Sequence, residues 1–305
     1  MLPDEIKLPS YTLYRSHCHA STHNLLAYLS STVEIRIVRF DDTNHILGNT
    51  VVSIPQEPVK AIAVSMQKDA NEQPYFIVAV AFISKFMFFD GEGHQIFEGV
   101  LKLTENIAVF SNGLFAVQPY GEDKFLFAKV MGELTYVNVG DKSSEKKNSP
   151  KTTSTQYCSL GVLGDRVYMG TMEGKIEVFE LEKYALMGEK DSGSKFPILN
   201  ILVDKKYEQI IGSTCEGEIL LMDRSLESLS IISAHHSHIS RMHVGHGDML
   251  FTFGEDGRMH AFQIEGERKV RVVRSEEWKK MPSLLFTVNK RNFLSFYEDS
   301  TLKQL

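Results

Sequence analysis

Short strand-like runs, separated by polar corners, recur along the whole 305-residue chain. The runs are rich in β-branched and aromatic residues, and many of them alternate apolar with polar positions. Segments with the 3.6-residue period of a helix are scarce. The best of them, residues 275–281, would make only about two helical turns. The sequence therefore predicts an all-β protein.

The predicted strands fall into seven groups, most of which contain four strands joined by tight turns. The third strand of each group is predicted to end near Phe40, Asp90, Val130, Leu181, Asp223, Ile264 and Glu298. These ends are roughly 35 to 50 residues apart, which is typical of propeller repeats. A lone meander leaves both faces uncovered, whereas successive meanders cover one another. We therefore expect one seven-bladed β-propeller over residues 1–305, with four-stranded antiparallel blades.

Two segments fit less simply into this pattern. Residues 140–155, GDKSSEKKNSPKTTST, contain no large apolar side chain. They are predicted to form a mobile loop between the third and fourth blades, either simply solvated or used for phosphorylation or docking. Residues 10–17 are expected to complete the last blade, because residues 300–305 are short for an outer strand.

The sixth group carries a recognisable pattern of residues. His235 is followed four positions later by Ile239, then by Thr252 on a second strand, Asp256 at a corner and Phe262 near the end of a third strand. This arrangement resembles a WD40 repeat. In that family the corner acid, the His, the Ser or Thr and a Trp form a buried hydrogen-bonded chain. Phe262 has no N–H to donate, so the last link is expected to be missing here.

Other groups end in an aromatic residue or Met followed by an acid, as an eroded form of the Trp-Asp ending of WD40 repeats. These pairs are Phe40-Asp41, Phe89-Asp90, Phe179-Glu180, Met222-Asp223 and Tyr297-Glu298. The resemblance implies a WD40-type propeller. It also implies a platform on which loops between second and third strands, and loops between blades, bind other proteins. The loops expected there are 30–32, 121–123, 140–155, 172–174, 215–217, 255–257 and 290–291.

Two histidine clusters were weighed as metal sites. His235, His236 and His238 lie within four residues, and the N-terminal group holds His17, Cys18, His19 and His23. Alternation along a strand would separate His235 from the other two, and neither spacing matches a zinc module. The second group is expected on a loop. We predict no metal and no cofactor in this chain.

Catalytic and nucleic-acid-binding signatures are weak. The chain has no G-x-S-x-G elbow, no phosphate-binding loop and no H-E-x-x-H motif. An enzyme whose site gathers dispersed residues in a propeller channel remains an alternative. The basic residues of 268–291 could contact nucleic acid or lipid, but acids interrupt them, and the formal net charge of −6 makes nucleic acid an unexpected partner.

The remaining features favour an intracellular interaction protein. Three scattered cysteines do not make a disulfide framework, and the N-terminus lacks the basic and apolar regions of a signal peptide. No apolar stretch is long enough for a membrane span. The sequence predicts a non-enzymatic scaffold or adaptor, a subunit of a larger cytoplasmic or nuclear complex. Its partners are other proteins, no small-molecule substrate is inferred, and the binding residues are not identified.

Overall fold

The computed structural model describes residues 6–8, 19–68, 71–101, 114–148, 150, 155–280, 282–296 and 299–305. This part of the chain forms seven four-stranded sheets, which are the blades of a seven-bladed β-propeller. The predicted fold class is confirmed. The chain divides into two compact units, one within Met1–Phe127, Thr135–Lys146 and Pro282–Leu305, the other within Ala128–Leu134 and Lys147–Met281.

The first unit contains three blades and most of another. Blade 1 consists of β2 (His19–Thr22), β3 (Leu25–Ser31), β4 (Glu34–Phe40) and β5 (Ile46–Ser53). Blade 2 consists of β6 (Ala61–Lys68), β7 (Pro74–Ala81), β8 (Lys85–Asp90) and β9 (Gln95–Val100). Blade 3 consists of β10 (Leu114–Gly121), β11 (Lys124–Lys129), β12 (Leu134–Asn138) and β13 (Ser143–Lys147). Blade 7 consists of β26 (Pro282–Val288), β27 (Arg291–Phe296), β28 (Asp299–Gln304) and β1 (Ile6–Lys7).

The second unit contains the other three blades. Blade 4 consists of β14 (Tyr157–Leu163), β15 (Arg166–Thr171), β16 (Lys175–Glu180) and β17 (Leu186–Asp191). Blade 5 consists of β18 (Ile198–Asp204), β19 (Gln209–Thr214), β20 (Glu218–Asp223) and β21 (Leu229–Ser233). Blade 6 consists of β22 (Ile239–Gly245), β23 (Met249–Gly254), β24 (Arg258–Gly266) and β25 (Lys269–Glu277).

The apolar cores lie between successive blades. In the first unit, Phe86 and Phe88 of blade 2 pack against Phe125 and Phe127 of blade 3, with ring centroids 5.0 Å apart in both the Phe86–Phe127 and the Phe88–Phe125 pair. In the second unit, Phe262 of blade 6 belongs to a cluster that includes residues of blade 5. Each sheet is therefore held by the burial of its faces rather than by its ladder alone.

Blade 3 differs from its prediction by one strand. The sequence predicts that the run ending near Val130 is a third strand. This run forms β11, which is the second strand of the blade, and the third strand β12 ends at Asn138. Residues 106–111, predicted as the first strand, lie outside the described residues. Apolar alternation is the same in every strand of a meander, so it does not distinguish a second strand from a third.

The same shift corrects the segment 140–155. The expectation of a loop throughout was wrong, because β13 forms the outer strand of blade 3 within it. Its residues are almost all exposed, so a polar composition is compatible with a strand that has little surface to bury. Residues 149 and 151–154 lie outside the described part of the chain.

Blade 7 also differs in strand assignment. The run predicted as a third strand is β27, the second strand, and β28 is the third. The pair Tyr297-Glu298 therefore follows a second strand, not a third, and both residues lie outside the described part of the chain. An N-terminal segment does supply the outer strand, but it is β1 rather than residues 10–17.

Candidate functional site

Blade 6 brings together three of the four residues that the WD40 resemblance singled out. Nδ1 of His235 lies 3.0 Å from Oδ1 of Asp256, and its Nε2 lies 2.8 Å from Oγ1 of Thr252. The side chain of His235 is fully buried and Thr252 is fully buried. Asp256 also accepts hydrogen bonds from the backbone N–H groups of His236 and Arg258, both at 3.0 Å. The chain locks the turn between β23 and β24 to the segment that precedes β22.

Burial and hydrogen bonding set the protonation of this chain. Desolvation lowers the pKa of His235, and it outweighs the opposing effect of the Asp256 carboxylate. Burial alone would raise the pKa of Asp256, but hydrogen bonds from His236, His235 and Arg258 hold it below its usual value. A neutral imidazole beside an ionised carboxylate is therefore the stable state, with Nδ1–H donating to Asp256 and Nε2 accepting from the Thr252 hydroxyl.

Phe262 is placed differently from the other three. It is 1% exposed and packs in the apolar cluster that blade 6 shares with blade 5. Its ring offers Thr252 no donor. The neighbouring His260 lies across from Thr252 in the β23–β24 ladder, and its ring centroid is 4.6 Å from that of His235. The sequence reasoning did not single out His260.

Gly254 is what makes room for the histidine. A Cβ at this position would lie 2.3 Å from Nδ1 of His235 and 2.5 Å from Oδ1 of Asp256. Blades 4 and 5 have Thr171 and Thr214 at the matching end of the second strand. Their hydroxyls accept the backbone N–H groups of the following turn. Blade 6 thus replaces a local threonine cap with an acid and a histidine.

Blade 5 holds a reduced version of the same link. Ser194 precedes Ile198 by the distance at which His235 precedes Ile239. Its hydroxyl donates to Oε2 of Glu216, the corner acid of that blade, at 3.0 Å. This pair was not predicted, because Ser and Glu are common in loops and carry no sequence signature. Only the repeated geometry identifies it.

The aromatic-acid pairs have a local role where the structure describes them. Phe40, Phe89, Phe179 and Met222 are buried. Each of the four acids after them ends or directly follows a third strand, namely Asp41, Asp90, Glu180 and Asp223. Oδ1 of Asp41 accepts from the backbone N–H groups of Thr43 and His45, and Oδ1 of Asp90 accepts from those of Glu92 and His94. In blade 3, Asn138 accepts from the N–H of Asp141 in the same way. The acids cap the turn to the outer strand.

The predicted binding loops separate into two groups. Loops 30–32, 172–174, 215–217 and 255–257 do lie between second and third strands, as expected. Loops 121–123 and 290–291 were wrongly placed, because they join first and second strands and lie at the opposite end of their blades. The strand shifts in blades 3 and 7 explain both errors.

In the second unit, loops 172–174, 215–217 and 255–257 join second and third strands, and segments 192–197 and 234–238 link one blade to the next. Together these loops and segments are called the turn end. It carries two large exposed apolar side chains, Met172 at 44% and Phe196 at 50%. A Cβ on Gly174 would lie 3.0 Å from the carbonyl oxygen of Phe196, so the two loops that hold these side chains touch. Exposed Met and Phe side chains on loops are enriched where proteins bind other proteins.

The histidine clusters give no metal centre among the residues that the structure describes. His17 and Cys18 lie outside that part of the chain. His19 is in strand β2 rather than on a loop, with Nε2 3.2 Å from the carbonyl oxygen of Leu285, and His23 is in the following turn. At the turn end, Nε2 of His238 lies 3.0 Å from Oε1 of Glu255.

The basic stretch is compensated by acids on its own hairpin. Lys269 and Arg271 lie 3.1 and 2.7 Å from carboxylate oxygens of Glu265, and Arg274 is paired with Glu276. These pairs leave little net positive charge on the β24–β25 hairpin. The described residues also include no helix long and apolar enough to traverse a bilayer.

Comparison with known proteins shows similarity at the level of fold. No protein-family description and no curated protein sequence matches the chain. The β-propeller domain of Cps50 (Swd1) from Myceliophteria thermophila is similar in structure, with a TM-score of 0.70 and 10% identity over 98% of each chain. The computationally designed Ika8 protein has a TM-score of 0.63 and 11% identity, covering 98% of this chain and 100% of its own.

Proposed function

We propose that this chain is a WD40-type propeller that acts as a non-enzymatic scaffold or adaptor within a larger intracellular complex. The observation that carries the proposal is the exposed pair Met172 and Phe196 on two touching loops of the turn end. Exposure of apolar side chains of this size to water is unfavourable, and the free energy falls when a partner covers them.

The rigidity of the supporting loops favours this function. Residues that follow the outer strands β17, β21 and β25 donate backbone N–H groups to the carbonyl groups of turn glycines. Ser192 donates to Gly174, His235 to Gly217 and Trp278 to Gly257. Loops held in this way lose little conformational entropy on binding, so more of the contact energy appears as affinity.

The two alternative functions find less support. A nucleic-acid or lipid surface needs uncompensated cations, and the cations of β25 are paired with Glu265 and Glu276. An enzyme needs convergent polar groups that a substrate can reach, and in the chain of His235, Thr252 and Asp256 the side chain of His235 is fully buried.

The test is affinity capture of the tagged full chain followed by mass spectrometry. The double substitution Phe196→Ala and Met172→Ala is expected to lower the affinity of captured partners by about tenfold or more, as for central apolar anchors. The matched control is Leu186→Ala with Met187→Ala in β17, which removes similarly exposed side chains from the outer strand of the same blade. Equal capture by all three proteins would contradict the proposed surface. Loss of partners in the control alone would place the binding surface on the outer strand.

A further inference from the structure

Strand β25 is the longest outer strand of the described blades and lies at an open edge. It has nine residues, whereas β13 and β21 have five each. The order of blade 6 ends at β25, and no strand in the described part of the chain pairs with its outer side. Seven of its nine residues are exposed. The N–H and C=O groups on this edge are available for pairing with another chain.

The centre of β25 carries two exposed apolar side chains, which lie between Arg271 and Arg274. Natural edges are kept short or carry lysine and proline, which oppose the addition of another strand. The edge strand β13 follows this rule, because it has five residues and two of them are Lys146 and Lys147. In β25 the central Val272 and Val273 are 54% and 45% exposed. β-branched side chains at an open edge favour strand pairing.

The sequence of β25 is complementary to itself in one antiparallel register. If Val273 faces Val273 of a second copy across a twofold axis, all nine residues of each strand are paired. Lys269 then lies opposite Glu277, and Arg271 opposite Ser275. A shift by one residue in either direction leaves a strand end unpaired, and in one direction it also puts Arg271 opposite Arg274. Opposite charges across antiparallel strands stabilise the pair, and like charges destabilise it.

We propose that the β25 edge binds a second copy of this chain, giving a twofold-symmetric dimer with one continuous sheet across the two blades. Symmetry makes each favourable cross-strand pair occur twice. The existing contacts of Lys269 with Glu265 and of Glu277 with Arg258 are exposed ion pairs, so exchanging them costs little. The contact is small, so the dimer forms reversibly and its population rises with protein concentration.

Sedimentation velocity of the full chain over a wide range of concentrations tests the proposal. The unmodified protein is expected to change from monomer to dimer as concentration rises. Val273→Lys puts two ammonium groups together at the twofold axis and is expected to give a monomer throughout. Met187→Lys in β17 is the matched control, because Met187 is 50% exposed on another outer strand. It is expected to leave the dimer unchanged.

A charge exchange separates this register from any other. Lys269→Glu alone and Glu277→Lys alone each place like charges opposite one another twice, so the dissociation constant is expected to rise about tenfold. The two changes together restore opposite charges and are expected to return it to the original value. A monomer at every concentration would overturn the proposal. So would a dimer that Val273→Lys leaves intact or that the double exchange fails to restore.

Discussion

A Cβ placed on Gly254 would lie 2.3 Å from Nδ1 of His235, closer than two such atoms approach in proteins. The end of strand β23 must therefore be glycine for the histidine to reach both Asp256 and Thr252. In blades 4 and 5 the same position holds Thr171 and Thr214, and no histidine enters. The glycine and the histidine form one unit.

Gly254→Ala is expected to lower the free energy of unfolding by about 1–3 kcal/mol, because the added methyl group displaces a packed polar chain. Chemical denaturation measures this. The control is Gly266→Ala in the same blade, where a Cβ meets no atom within 4 Å. A loss of equal size in both variants would show that the effect comes from the strand and not from His235.

Asp256→Ala is expected to destabilise the fold by about 1–3 kcal/mol, because it leaves buried donors of His235 and the turn without their acceptor. The control is Glu255→Ala, which removes the adjacent exposed carboxylate, 3.0 Å from Nε2 of His238, and is expected to cost under about 1 kcal/mol. Thermal unfolding followed by circular dichroism compares them. Similar melting temperatures for the two variants would contradict a role for Asp256 in a buried chain.

The substitution Gly217→Ala tests how closely the linking segment 234–238 packs on the turn of blade 5. The φ of Gly217 is +85°, and a Cβ would lie 2.4 Å from the carbonyl oxygen of His235. Gly193 has a φ of +83° and no atom within 4 Å of that position. Gly193→Ala is expected to cost about 1–2 kcal/mol of backbone strain alone. Gly217→Ala is expected to cost clearly more, measured by urea denaturation. Equal costs would mean that backbone strain alone accounts for both.

Blade 6 is expected to lose stability in mild acid. Desolvation lowers the pKa of His235 and His260, and lowers that of His243 from 6.5 to about 4. Below pH 6.5 these histidines bind protons in the unfolded chain more readily than in the folded chain. The stability that the neutral histidines contribute is therefore complete above that pH and is lost as the pH falls. For His243 the loss continues to about pH 4.

Urea denaturation at about pH 7.5 and about pH 5 measures this pH dependence. The variant His243→Gln removes one titrating group and keeps a polar side chain. Its stability is expected to change less between the two pH values than that of the unmodified protein. Asp256 and Arg258, whose charges act on His235 and His260, are the same in both proteins. Identical pH dependence would show that His243 does not contribute.

Blades 4, 5 and 6 were predictable from sequence because each of their third strands begins after a Gly-containing corner and has, at or near its end, an aromatic residue or Met followed by a polar residue. Blade 3 lacks that ending. Its third strand ends in Val137 and Asn138, and Asn138 caps the next turn as well as an aspartate does. The prediction therefore took the aromatic strand β11 in its place. Side-chain identity is a weaker constraint than the turn geometry that several residue types satisfy.

The link between Ser194 and Glu216 shows a second limit. Its partners are 22 residues apart, with strands β18 and β19 between them, and Ser and Glu carry no sequence signature. The backbone irregularity that positions them is repeated instead. The first strands of blades 4, 5 and 6 have their register shifts between Tyr157 and Ser159, Ile198 and Asn200, and Ile239 and Arg241. Register shifts depend on packing across strands, so a one-dimensional pattern does not reveal them.

Strand β1 pairs Ile6 with Leu302 and Lys7 with Thr301. During synthesis on the ribosome, β1 emerges before β28 and has no partner until β28 has been translated. The sheet that holds β26, β27 and β28 therefore completes last. Closing so long a loop carries a large entropic cost before any contact repays it, which slows folding. A nascent chain is expected to need protection of its early strands until β28 has left the exit tunnel.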